Sequence, residues 1–392
     1  MIEIRREGIL LQATELEFEN QAVLNPTIYQ QGKYLHLFYR AVKQGNYSSI
    51  GYCKLDGPLN IIERKKEPLI YSEYDYENHG VEDPRIVFLE GIYYLFYTAY
   101  DGKNARVAYA TSENLKEWNK HGLITPSIPY EEAKNFFKLS RLKSKYYLFV
   151  SYIKEITAPD VGKFALIHRI LPDIQVIYFD NFGQLKDPKY WEGYLTKLGE
   201  YVIIEPQFGY ESRNIGAGAP LIEIEEGWLL IYHAVEDSNA GQIYRASAVL
   251  LEKDPPFNVI GRLERPLFSP LEDYEKYGDI DDVVFPTGTA IYDDRLYIYY
   301  GAADKYVAVV SLVLKDLIKE LIKSKSTLDV DIGFLAGEIL KKVYENEVSL
   351  AQLKKEYSDR QDLLMMALGW LARENKLIFR NKNGNLRVWA ID

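Results

Sequence analysis

The sequence predicts an all-β five-bladed β-propeller followed by a small α+β winged helix-turn-helix domain. Three observations carry that expectation: a strand-like segment recurs five times, almost no helical periodicity precedes about residue 310, and the pattern then turns helical. The five copies are "GKYLHLFYRA" (32–41), "GIYYLFYTAY" (91–100), "GKFALIHRI" (162–170), "GWLLIYHAV" (227–235) and "DRLYIYYGAAD" (294–304). Weaker strand-like runs ending in turn residues follow them: "SSIGYCKLDGP", "ARVAYATSENL", "DIQVIYFDNF", "YRASAVLLEKDPP" and "KYVAVVSLVL". A spacing of roughly 60 to 70 residues leaves room for four short strands per unit. In a propeller the inner strand ends surround one channel, so the polar residues closing each copy should converge there. These are Arg40, Tyr100 with Asp101, Arg169, His233 and Asp304.

The tail reads differently. After "KDLIKELIKSKS" and a polar break at 323–327, "GEILKKVYENE", "VSLAQLKKEY" and "SDRQDLLMMALGWLARENKL" read as three amphipathic helices, with Ser349 and Ser358 as N-caps. "IFRNKNGNLRVWAID" reads as a hairpin around Asn383-Gly384. The expected division is therefore a propeller over 1–315, a helical linker over 316–328 and a winged helix over 329–392. Residues 330–392 hold ten Lys or Arg against nine Asp or Glu, a weak electrostatic footprint for DNA. Protein contact or homo-oligomer formation is the favoured reading of this tail, and DNA binding is not expected.

Of the 392 residues, 47% are hydrophobic, enough for a packed core. Tyrosine outnumbers phenylalanine 33 to 16, which suits half-buried strands and sugar-binding surfaces. A net charge of −10 disfavours non-specific nucleic-acid binding. The single cysteine, Cys53, excludes an internal disulfide framework, and no His/Asp/Glu spacing suggests a metal site. "MIEIRREGIL" places charges where a signal peptide needs an apolar run, and no stretch approaches a membrane span, so the cytoplasm is the expected compartment.

"GVEDPRI" (80–86) sets Asp83 before a proline that stiffens the loop, with Arg85 two residues on to orient the acid or a substrate hydroxyl. Carboxylic acids of this kind protonate leaving oxygens in glycoside cleavage. Arg169, beside His168, and His233 have the donors to bind phosphate, whose geometry matches the planar guanidinium fork. "NIGAGAP" (214–220) lacks the amphipathic helix that a nucleotide cradle requires and reads as a tight turn at the channel rim.

Together, "YRAV", "GVEDPRI", "YTAYDG", "ARVAYATS", "ALIHRILPDIQ", "ESRNIGAGAP", "GWLLIYHAV", "YRASAVLL", "VVFPTG" and "YYGAAD" resemble, in order, the β-mannoside phosphorylases and β-mannosidases of glycoside hydrolase family 130. The resemblance covers roughly residues 20–312. It implies a five-bladed propeller, in agreement with the repeat count. It also implies that Asp83 is a single general acid, passing its proton through a mannose hydroxyl while inorganic phosphate attacks C1 with inversion. Arg40, Tyr47 and Asp304 match positions that hold the mannosyl unit; Arg85, Tyr100 and Asp101 are further substrate-binding candidates. Arg169 and His233 match the phosphate site, and Lys154 is the counterpart of another phosphate-binding base. The chain departs from the family at Asn214, where a lysine is usual, and at Asp282, where asparagine often stands. Related hydrolases activate water with acidic residues, which makes Asp282, or Asp281 beside it, the candidate base for hydrolysis.

Phosphorolysis to mannose 1-phosphate is the leading reading, with no cofactor and phosphate as co-substrate. Hydrolysis, or a non-catalytic carbohydrate-binding or sugar-sensing propeller, are the alternatives.

Overall fold

The computed structural model describes residues 2–126, 148–155, 163–170, 172–239, 241–254, 257–324, 327–345, 347–358, 360–382 and 384–390. They form two compact units, 1–324 and 325–392.

All five repeat copies are strands: Tyr34–Lys43, Ile92–Tyr100, Phe164–Ile170, Gly227–Ser238 and Arg295–Ala302. Each pairs antiparallel with the strand formed by the weaker run after it. A strand on either side completes five antiparallel groups. In the first and second groups these are Ala22–Gln31 with Asn60–Arg64, and Gly80–Leu89 with Asn119–Leu123. One parallel bridge, Ser48 to Gly80, joins the two groups. The third group is flanked by Leu148–Glu155 and Val202–Ile204. In the fourth, the first strand is broken into Asn214–Ala217 and Ile222–Ile224, and Val259–Arg262 lies at the outer edge. The outer strand of the fifth group comes from the other end of the chain: Arg5–Leu11 pairs with Tyr306–Val313.

Side chains alternate along a strand, so each of these sheets can bury both faces. Leu230 and Tyr232 pack with Ile167 and Val176 of the third group, while Leu229 and Ile231 pack with Ile298 and Val310 of the fifth. Phe96 and Val107 of the second meet Leu166 and Ile177 of the third. Phe38 and Ile50 of the first meet Leu95 and Ala108 of the second. Val23 and Leu37 of the first meet Tyr299 and Val309 of the fifth. Every group thus shares one core with its predecessor and another with its successor, and the fifth shares one with the first.

A polar tie recurs inside these cores and accounts for four of the tyrosines. Tyr39, Tyr97, Tyr232 and Tyr300 donate to the fully buried carboxylates of Glu19, Glu77, Glu211 and Glu275 at 2.6–2.8 Å. Arg64, Lys120, Arg262 and Arg6 complete each tie as the cation. Buried carboxylates persist only when paired in this way. The third group replaces the tyrosine with His168, which meets the Tyr194 hydroxyl at 2.6 Å.

The helix Leu314–Ser324 is not the linker expected at 316–328. Its Leu317 and Leu321 are fully buried in the core shared by the fourth and fifth groups. Gly261 lies under it, where a Cβ would sit 1.9 Å from the Leu321 carbonyl oxygen. Burial of two leucines holds this helix to the first unit.

The second unit contains helices Thr327–Glu345, Leu350–Glu356 and Gln361–Arg373, then a hairpin of Leu377–Lys382 with Asn385–Ala390. Ser349 caps the middle helix by accepting from the Gln352 N–H. Ser358 is not the N-cap of the next helix, which starts at Gln361 with Arg360 at that position. Lys382 pairs with Asn385 at the end of the hairpin and Gly384 has φ +82°; Asn383 lies outside the described residues. Leu335, Ile339, Leu353, Leu364, Leu368 and Val388 form a core of their own.

Candidate active site

The first strands of the first two groups carry the same interruption. "LNPTI" and "EDPRI" place Asn25 and Asp83 before prolines, and each sits at a shift in strand register, between Leu24 and Thr27 and between Glu82 and Arg85. Both adopt the left-handed conformation, φ +48° and +50°, which Asn and Asp tolerate better than most residues. The two bulges face one another, and Asn25 Nδ2 donates to Asp83 Oδ1 at 2.8 Å.

Arg40 joins this pair from the neighbouring strand. Its Nη2 donates to Glu82 Oε1 at 2.7 Å, its Nε donates to Ser48 Oγ at 2.9 Å, and its Nη1 lies 3.9 Å from Asp83 Oδ1. Burial raises the Glu82 carboxyl above the ordinary range, while Arg40 pulls it down. Asp304 enters from the turn after Arg295–Ala302, also left-handed at φ +49°. Burial pushes it up to about 6; Arg40 lowers it, and Asp83, Asp279 and Glu82 raise it further. Because the folded state holds this proton more tightly than the unfolded chain, its contribution to stability is complete below about pH 4 and lost as pH rises through 6. Asp304→Asn is therefore expected to remove on the order of 2 kcal/mol of that pH dependence, read as the wild-type minus variant difference in urea midpoints at pH 4 and 7.

Arg169 and His233 form the other half. Arg169 Nη1 donates to His233 Nε2 at 2.9 Å and to Asn214 Oδ1 at 3.3 Å. Burial, helped by Arg169 and Arg85, drives the imidazole well below its ordinary pKa, so His233 is neutral. Its Nε2 accepts, which puts the ring proton on Nδ1. His233 therefore aims the arginine and adds no second charge. Burial lowers Arg169 to about 10, still a cation at neutral pH, and its charge senses Tyr244 and Asp83. Tyr244 and Phe285 enclose the His233 ring, the latter at 4.2 Å between centroids.

"NIGAGAP" is not a rim turn. Asn214–Ala217 is a buried strand opposite Tyr232–Val235. Gly216 is required by close approach, since a Cβ there would lie 2.4 Å from His233 Cε1 and 2.8 Å from Arg169 Nη1.

Arg40, Asp83, Arg169, His233 and Asp304 are thus linked by contacts or mutual electrostatics. The other sequence candidates differ in how they relate to this cluster. Arg85 is buried and donates to the Gly218, Pro84 and Asp83 carbonyls at 2.8–3.2 Å, orienting the acid through its backbone. Asp101 faces away: its carboxylate accepts from the Lys103 and Asn104 N–H groups and closes its own turn. Tyr47, 43% exposed, stacks on His79 at 5.5 Å; Tyr100 meets the same imidazole edge-on and lies within electrostatic reach of Arg40, as Asp83 and Asp304 do. Asp281 is exposed and accepts from the Gly278 N–H. Asp282 is left-handed at φ +58° and engages Tyr244 and Lys276 through its backbone; the acid that Asp304 senses from this loop is Asp279. Lys154 pairs with Ala165, and its side chain lies outside the described residues.

Sequence reasoning missed Asn25, Ser48, Glu82, Tyr244 and Asp279. The "NP"/"DP" echo marked Asn25. The aligned triplets "YRA", "YTA", "HRI", "YHA" and "YGA" equate Arg40, Thr98, Arg169, His233 and Gly301.

An acid held beside an arginine, within electrostatic reach of a second buried guanidinium from other strands, makes this polar cluster the candidate active site of an enzyme. The comparisons name the family. Residues 4–323 match a family model described as β-1,4-mannooligosaccharide phosphorylase, and residues 325–390 match a winged helix-turn-helix domain. The chain is 35% identical over 332 residues to the 1,2-β-oligomannan phosphorylase of Thermoanaerobacter sp. (strain X514), covering 81% of this chain and 99% of that protein. It is 31% identical over 332 residues to the β-1,2-mannobiose phosphorylase of the same organism, at 81% and 98% coverage. The solved β-1,2-mannobiose phosphorylase of Listeria innocua, in complex with β-1,2-mannobiose, superimposes with a TM-score of 0.61 at 19% identity over 81% of this chain and 99% of that one. The chain belongs to glycoside hydrolase family 130.

Proposed function

We propose that the protein is an inverting β-mannoside phosphorylase whose body is a five-bladed β-propeller. The shared cores between consecutive groups, and between the fifth and the first, support radial closure. The observation that carries the chemistry is Asp83, hydrogen-bonded by Asn25 and flanked by Arg40, within electrostatic reach of buried Arg169. Arg40 and Asp304 hold the mannosyl unit. Phosphate, bound by the Arg169 fork, attacks C1; the C1–O bond breaks, and the leaving oxygen takes the Asp83 proton through a mannose hydroxyl. Inversion of a β-mannoside yields α-mannose 1-phosphate and the shortened acceptor. The two Thermoanaerobacter relatives are named for 1,2-linked substrates, and that linkage is carried over here.

The test incubates the protein with β-1,2- and β-1,4-mannobiose, with and without phosphate, and identifies the products. Phosphate-dependent mannose 1-phosphate from the 1,2-linked sugar is expected. Free mannose released equally fast without phosphate would establish a hydrolase.

A further inference from the structure

We infer that Asn25 is the positioning residue of the acid: its amide holds Asp83 Oδ1 as an acceptor, so the transferable proton resides on Oδ2. This rests on the reading of Asp83 as the proton donor. Asn25 is 5% exposed, and among the described residues the only hydrogen bond of its side chain is the 2.8 Å donation to Asp83. Its amide oxygen is buried without a partner among the described residues, so the side chain is held through its amide nitrogen alone. The amide cannot turn away easily. It rests on Gly301, where a Cβ would stand 2.1 Å from Asn25 Oδ1, and the left-handed bulge sets its direction.

A carboxyl group has two oxygens, and only one carries the proton. Arg40 Nη1 and Asn25 Nδ2 both approach Oδ1, the former at 3.9 Å and the latter at 2.8 Å. Donors gathered on one oxygen favour the proton on the other and also stabilise the ionised form. Asn25 thus selects the oxygen that acts.

Asn25→Gly removes the amide and retains the left-handed backbone. It should lower turnover of β-mannobiose about 100-fold and move the alkaline limb of the kcat/KM profile up by about one pH unit. Turnover of 2,4-dinitrophenyl β-mannoside, whose leaving group needs no proton, should change by less than ~3-fold. Asn25→Asp, matched in size, should raise the limb further, because two adjacent carboxyls share one proton. Gly301→Ala, which displaces the amide, should reproduce the glycine variant. An unmoved limb in folded Asn25→Asp, with equal losses on both substrates or none, overturns the inference. Asp83→Asn with wild-type turnover overturns the acid assignment instead, so the two failures are distinguishable.

Discussion

Asp83→Asn is expected to lower turnover of unactivated β-mannobiose by about 1,000-fold or more while leaving sugar binding measurable. General acid catalysis supplies roughly 100- to 10,000-fold, and an amide of the same shape cannot supply the proton. Asparagine also tolerates the left-handed backbone found at φ +50°, so the bulge and Arg85's hold on its carbonyl should survive. Stopped assays on β-mannobiose and calorimetric titration with mannose check both parts. A variant that retains near wild-type rate on β-mannobiose places the acid elsewhere.

Arg169→Ala is expected to raise the phosphate KM at least ~10-fold with little effect on mannoside KM, since charge-assisted hydrogen bonds are worth roughly 1.5–3 kcal/mol. His233 cannot compensate, because burial keeps it neutral and its Nε2 lone pair faces the arginine. The complementary change, Asn214→Lys, places a second cation where Asn214 Oδ1 now accepts from Arg169, and should lower the phosphate KM. Initial rates over a phosphate series measure both. Equal cleavage by Arg169→Ala and wild type in phosphate-free buffer would remove phosphate from the mechanism.

Much of this was legible because each element reports its own environment. The runs "YLHLFYRAV", "IYYLFYTAY" and "WLLIYHAV" are strands buried on both faces, and their recurrence announced five sheet units before any contact was known. Asp83 stood out because a carboxylate before proline in a strand-like run demands a special backbone. Less legible was which polar residue of each repeat points inward. A one-residue slip reverses the facing of a strand residue, so the sequence points to Asp101 as inward, whereas it lies in the turn beyond its strand and closes that turn. The helix Leu314–Ser324 misled for a related reason: its amphipathic pattern is visible, but the surface that receives Leu317 and Leu321 is not.

The sequence by itself determined the strand units, the winged-helix tail and the presence of a carboxylate before proline at Asp83 and a guanidinium at Arg169, since periodicity and side-chain chemistry are local properties. Only the tertiary structure decided that Asn25 meets Asp83 across 58 positions of chain and that His233 meets Arg169 across 64. It alone made His233 neutral and raised Asp304 to about 6, because burial and neighbouring charge do not exist until separate groups pack around a shared site.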